Sequence, residues 1–193
     1  MKKYTIGIDF GTLSGRCLLA DVETGEEIAT SVLEYRHRVM SETLPDGTRL
    51  GVDWHLQHPG DYLDVLRITI RDVIKQAEIR PEQVIGIGID TTGCTILPIK
   101  KDGTPLCFLE RWKGSPNAYV KLWKHHAAQP YADKMTETAL ARNEKFIQRY
   151  GGKISSEWMF PKIWQVLDES PEIYEDTDAF LEVPDWIVMQ LTG

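Results

Sequence analysis

Residues 4–21, YTIGIDFGTLSGRCLLAD, limit the fold more tightly than any other stretch. A short apolar strand runs into Asp9, a turn bearing Gly, Thr and Ser follows over 11–15, and a second strand over 16–21 leads away. Gly11 and Gly15 let the backbone fold sharply there. Successive N–H groups in such a turn can face a phosphate, and a carboxylate at the strand end, Asp9, could hold a metal-bound water. The segment therefore suits the end of a nucleoside triphosphate. The same Asp-x-Gly-Thr turn also serves as an ordinary hairpin, because these residues supply turn geometry in any context. It is not a P-loop, since no Gly-Lys-Ser/Thr follows.

A chain of 193 residues forms one domain or a tight pair and can bury a real core. Net charge is −7 with no long Lys/Arg run, which argues against nucleic acid or an anionic membrane as partner. No apolar run approaches the ~20 residues of a membrane span, and Met1-Lys2-Lys3 enters a strand without a signal-peptide layout. Cys17, Cys94 and Cys107 are an odd number without metal-ligand spacing. They are expected to be free thiols in a reducing cytoplasm, with Cys17 a small buried hydrophobe.

Strands are expected over 4–9, 16–21 and 28–35, then a polar loop with Pro45-Asp46-Gly47. Pro59 opens a helix at its first turn, on which Tyr62, Leu66, Ile70, Val73 and Ala77 keep an apolar stripe. VIGIGID over 84–90 reads as a strand buried on both faces, and 94–99 as another. The second half reads as helical over 117–128, 131–150, 159–168 and 184–191, with a connection and a short strand within 172–182. Trp158, Trp164 and Trp186 read as core residues. Trp123-Lys124-His125-His126 does not read as a chelate, because adjacent helical residues face different ways.

IGIDFGT and IGIDTTG form a small internal echo, each a strand, an Asp and a small polar turn. Two strand ends bearing Asp can converge on one cleft at the carboxyl edge of a sheet.

With both loops in view, the chain resembles the first lobe of the FGGY carbohydrate kinases. The likeness is carried by GIDFGTLSGR (7–16), DWHLQHPGDY (53–62), GIGIDTTGCTILP (86–98), LWKHHAA (122–128), SSEWMFPKIW (155–164) and PDWIVMQLTG (184–193). It implies an α/β, actin-like, ribonuclease H-like lobe: a mixed sheet flanked by helices, incomplete at its C-terminus. All of 1–193 would be the N-terminal, sugar-binding lobe. The second, ATP-binding lobe and the Asp that serves as catalytic base would lie past Gly193.

The implied reaction is phosphoryl transfer from Mg·ATP to a sugar hydroxyl, which needs positioning and charge neutralisation more than covalent help. By that resemblance Asp9 would orient Mg²⁺ through water, and Gly11, Thr12 and Ser14 would face the phosphates. Arg16 would add a cation or simply sit on the surface. Thr92, Gly93 and Cys94 would meet the sugar. Glycerol kinases carry an Arg-Glu pair where Gly93 and Cys94 stand, so the small residues leave room for a ketopentose such as L-ribulose. Glu157 would bond a sugar hydroxyl or serve as a carboxylate at a helix start. Asp185 would contact substrate or cap its helix. A homodimer is compatible with these features. The alternatives left open are another kinase of the family acting on xylulose or a different pentulose, an actin-like nucleotide-dependent module, and a fragment that by itself binds sugar weakly or not at all.

Overall fold

The N-terminal hairpin forms, and a sheet and a helix are built onto it. The computed structural model describes residues 2–193. In chain order it comprises β1 (Tyr4–Phe10), β2 (Ser14–Asp21), β3 (Glu27–Glu34), β4 (Leu56–Gln57), α1 (Pro59–Gln76), β5 (Val84–Thr91), β6 (Ile96–Ile99), β7 (Val120–Lys121), α2 (Gln129–Ala141), α3 (Met159–Glu169), α4 (Pro171–Asp176), β8 (Ala179–Glu182) and α5 (Val183–Thr192). The chain divides into two units. One comprises Met1–Val39, His58–Thr92 and Ile187–Gly193; the other comprises Met40–Gln57 and Gly93–Trp186.

The first unit is a sheet in the order β3-β2-β1-β5, with α1 on one face. β1 is antiparallel to β2 and parallel to β5. Strand side chains alternate between faces, so Ile6, Ile8, Phe10, Cys17 and Leu19 all turn to the covered side and are buried. Opposite them α1 buries Tyr62, Val65, Leu66, Thr69 and Val73; of the expected stripe Tyr62, Leu66 and Val73 are buried, while Ile70 and Ala77 are half-buried. The helix starts as Pro59 requires: His58 is its N-cap, and the His58 Nδ1 accepts the Gly60 N–H at 3.1 Å.

Sheet and helix approach closely at Gly15, where a Cβ would stand 2.5 Å from the Val65 Cγ1. Gly15→Ala is therefore expected to push α1 off β2 and to cost about 1–3 kcal/mol, read as an earlier midpoint in urea unfolding. An unchanged midpoint would mean that α1 shifts freely at this contact.

One expectation is overturned here. β5 is not buried on both faces: Ile85 is 56 % and Ile87 45 % exposed. The strand lies at the sheet edge beside β1, while α1 packs over β2 and β3. Among the described residues β5 is the outer strand of its sheet, and its unbroken apolar run fits strand propensity.

The second unit holds an antiparallel sheet in the order β4-β7-β6-β8, with a core that includes Met40, Leu56, Leu106, Tyr119, Val166 and Ile173. The helix expected over 117–128 does not form. Pro116–Ala118 is a single 3-10 turn, and β7 follows as an inner strand paired on both sides. Pairing with β4 and β6 overrides the local helical pattern, and Lys121 of β7 is buried at 1 % exposed. Its ammonium donates to the Asn117 Oδ1 at 2.7 Å and lies 4.2 Å from the centre of the Trp54 ring.

The long helix expected over 131–150 is interrupted: α2 ends at Ala141, Asn143 turns into the left-handed region (φ 53°), and Lys145–Tyr150 is 3-10. The segment 172–182 resolves into α4 and β8. Among the described residues no helix is long and apolar enough to cross a membrane.

Candidate functional site

In the first unit the turn between β1 and β2 is closed by its own backbone, the Gly11 N–H donating to the Ser14 carbonyl at 3.0 Å. A Cβ on Gly11 would stand 3.2 Å from that oxygen, which favours glycine at this point. Two further bonds fix the loop: the Tyr35 N–H donates to the Leu13 carbonyl (2.9 Å), and the Thr92 N–H donates to the Phe10 carbonyl (3.2 Å). Gly11, Thr12 and Ser14 are all half-buried.

Asp9, near the end of β1, stands opposite Arg16 in the hairpin register. The Arg16 Nε is 3.5 Å from the Asp9 Oδ2, and both side chains are exposed to solvent. On its other side Asp9 is in register with Asp90 of the parallel strand β5, where the Asp90 Oδ1 accepts the Thr91 N–H at 2.9 Å. The echo in the sequence is thus a pair of neighbouring strand ends within one sheet. Two adjacent carboxylates offer the hard oxygen ligands that Mg²⁺ prefers, so this donor set fits such an ion. Asp90 was not singled out as a site residue from the sequence, although the second IGID carried the signal.

Another group of donors in this unit, His37, His58 and Asp61, lies within 4.8 Å, but each member is already engaged. The buried Asp61 accepts the His37 backbone N–H and is 2.8 Å from the His37 Nδ1. The His58 Nδ1 caps α1. The two rings are stacked at 4.2 Å, so their in-plane lone pairs do not converge, and the positive end of a helix disfavours a cation. Burial and the neighbouring His37 hold His58 down to about 4, neutral as its capping role requires.

In the second unit, Gly93 is exposed and Cys94 half-buried, with Cys94 held at φ 57°. That left-handed conformation is uncommon for any residue with a Cβ. Burial, and then the Glu182 charge, push the Cys94 thiol up. It is a neutral wall rather than a thiolate nucleophile. Burial also raises the Glu182 carboxyl.

Cys94 and Glu182 border a half-open cavity of about 830 Å³ whose walls include Phe146, Tyr150, Trp158 and Trp164. Of the three tryptophans expected in the core, only Trp186 is fully buried; Trp158 and Trp164 are half-buried on this wall. Glu157 precedes α3 and is half-buried, its N–H donating to the Ser155 hydroxyl at 3.2 Å. Asp185 lies in the first turn of α5 and is exposed.

Lys162 on α3 escaped the sequence reading altogether. Its side chain is fully buried, and its Nζ donates to the carbonyls of Cys94 (2.6 Å) and Leu122 (2.9 Å). A lone lysine between Pro161 and Ile163 gives no hint of such a role.

Residues 4–193 match the family described as the FGGY family of carbohydrate kinases, N-terminal domain. A ribulokinase of Shouchella clausii is 57% identical over all of this chain, which covers 35% of that protein. A ribulokinase of Halalkalibacterium halodurans is 52% identical over 99% of this chain, covering 34% of its own length. The chain thus spans about a third of the length of the curated relatives it matches. Among solved structures, a xylulose kinase from Rhodospirillum rubrum superposes with a TM-score of 0.72 at 14% identity, over 97% of this chain and 33% of that one.

Proposed function

Because the chain belongs to the FGGY family of carbohydrate kinases, we propose that it carries phosphate- and sugar-handling residues of an enzyme that converts L-ribulose and Mg·ATP to L-ribulose 5-phosphate and ADP. The observation that carries this reading is the likeness to ribulokinases along the whole chain. The Asp9 turn supports the chemistry.

Phosphoryl transfer asks a protein mainly to position its reactants and offset charge. Asp9, with Asp90 beside it, would hold Mg²⁺ through water, and the ion when bound supplies neutralisation of phosphate charge. The loop of Gly11, Thr12 and Ser14 would cradle the phosphates. Arg16, paired with Asp9 at 3.5 Å, would lend a cation to the transferred group. Thr92, Gly93 and Cys94 would border the sugar, with Glu157 and Asp185 as hydrogen-bond partners for its hydroxyls. The small side chains at 93 and 94 leave space for a five-carbon ketose. A cytoplasmic location belongs to the same proposal and is supported by three unpaired thiols.

The test is steady-state ADP release by the complete gene product with L-ribulose, D-xylulose and glycerol. L-Ribulose is expected to exceed glycerol in kcat/KM by about 100-fold or more, because polar groups built to meet sugar hydroxyls are left unpaired by a shorter substrate. A preference for D-xylulose or glycerol would overturn the substrate assignment.

A further inference from the structure

Lys162 is fully buried, and an ammonium is taken out of water only where something compensates it. Two backbone carbonyls do so here, from two separate segments of the second unit. One belongs to Cys94, the residue held at φ 57°. The other belongs to Leu122, the residue before Trp123. The carboxylates of Glu182 and Glu157 supply opposite charge from β8 and from the start of α3, while Lys121 and His125 face the ammonium from the β7 side.

The same short loop is gripped from its other side. The Cys94 and Thr95 amides turn to the Glu182 carboxylate, and the Thr95 carbonyl accepts the Val183 N–H at 2.8 Å. A left-handed non-glycine residue persists only when its surroundings over-determine it, and here the buried Lys162 holds that residue's carbonyl while the half-buried Glu182 faces its amide.

We propose that Lys162 is a positioning residue for the sugar loop, its buried ammonium holding the Cys94 and Leu122 carbonyls so that Gly93 and Cys94 present one fixed surface to the substrate. This rests on the reading of residues 92–94 as a sugar-contacting segment. Lys162 touches no substrate itself; it acts through the backbone it fixes. Its hold depends on the proton that gives it charge. Burial brings Lys162 down to about 8, so the folded protein releases this proton far more readily than an exposed lysine would. Sugar affinity is expected to weaken as pH rises through that value. The Cys94 thiol is pushed up from its ordinary value and stays neutral over the lower part of this range.

The test compares Lys162→Met with the wild-type complete gene product. Methionine keeps the length of the side chain and removes the charge. KM for the best ketopentose substrate should rise about tenfold, the size of a lost charge-assisted hydrogen bond, while kcat and KM for ATP stay within about twofold. The alkaline loss of sugar affinity should vanish in the variant. Hydrogen exchange at the amides of residues 93–95 and 122–124 should quicken.

If the folded variant keeps the wild-type sugar KM and wild-type exchange, the proposal is overturned. If Lys162→Met fails to fold, Lys162→Gln, which retains an N–H donor, takes its place and should give an intermediate KM; a wild-type KM would again overturn the role. Should the wild-type protein phosphorylate none of the sugars, the kinase reading fails separately. The exchange measurement then decides: unchanged exchange overturns the clamp, and faster exchange confined to these two segments supports it.

Discussion

Replacing Asp9 by Ala is expected to lower the turnover of the complete gene product by about 100-fold or more, since the replacement removes a carboxylate that would position a phosphate-bound cation. Stability should barely change. The side chain is 43 % exposed and its ion-pair partner, Arg16, is 61 % exposed at 3.5 Å, and such surface pairs are worth about 0–1 kcal/mol. This combination separates a role in the reaction from a role in folding. Asp9→Asn is the stricter version, because it preserves shape and removes only charge. Coupled measurement of ADP release, with thermal unfolding on the same preparations, checks both halves. Turnover at the wild-type level would remove Asp9 from the mechanism, and a large loss of stability would make it a structural residue of the hairpin.

The first unit was legible because its signals are local. Period-2 alternation in β1 and β2 and period-3.6 spacing in α1 each point one face inward, and Pro59 marks the helix start. What composition could not say is where α1 lies. It covers β2 and β3 and leaves Ile85 and Ile87 of β5 open, a fact of topology that the apolar run itself does not encode. In the second unit local and tertiary signals conflict. Residues 117–128 carry a helical pattern, and the pairing of β7 with β4 and β6 overrides it. The same holds for the candidate site. Asp9 and its turn stand out in the sequence because they form a contiguous motif. The repeated IGID hints that Asp90 neighbours them, and strand register sets the two Asp side by side. Lys162 reaches Cys94 across 68 positions, a separation over which no spacing rule operates.

Trp186→Ala should be the most destabilising single change considered, at about 3–5 kcal/mol, the usual cost of emptying a buried aromatic site. The indole is fully buried, and its Nε1 donates to the Gly103 carbonyl at 2.8 Å. That bond ties α5 to the turn after β6, where Gly103 is at φ 82°. Two losses are therefore combined, and Trp186→Phe separates them. Phenylalanine keeps most of the apolar volume but leaves the Gly103 carbonyl without its donor, for an expected cost of about 1–3 kcal/mol. Urea unfolding of both variants gives the comparison. Equal losses would mean that the hydrogen bond, not the ring, anchors α5; a negligible loss for Ala would mean that this part of the core collapses to fill the space. Asp185 adjoins Trp186 in the first turn of the same helix, so the Ala variant should also weaken sugar binding, while the Phe variant, with α5 still seated, should bind sugar as the wild type does. A Phe variant that keeps its fold and loses its sugar affinity would show that the Gly103 bond sets the position of Asp185 more finely than packing does.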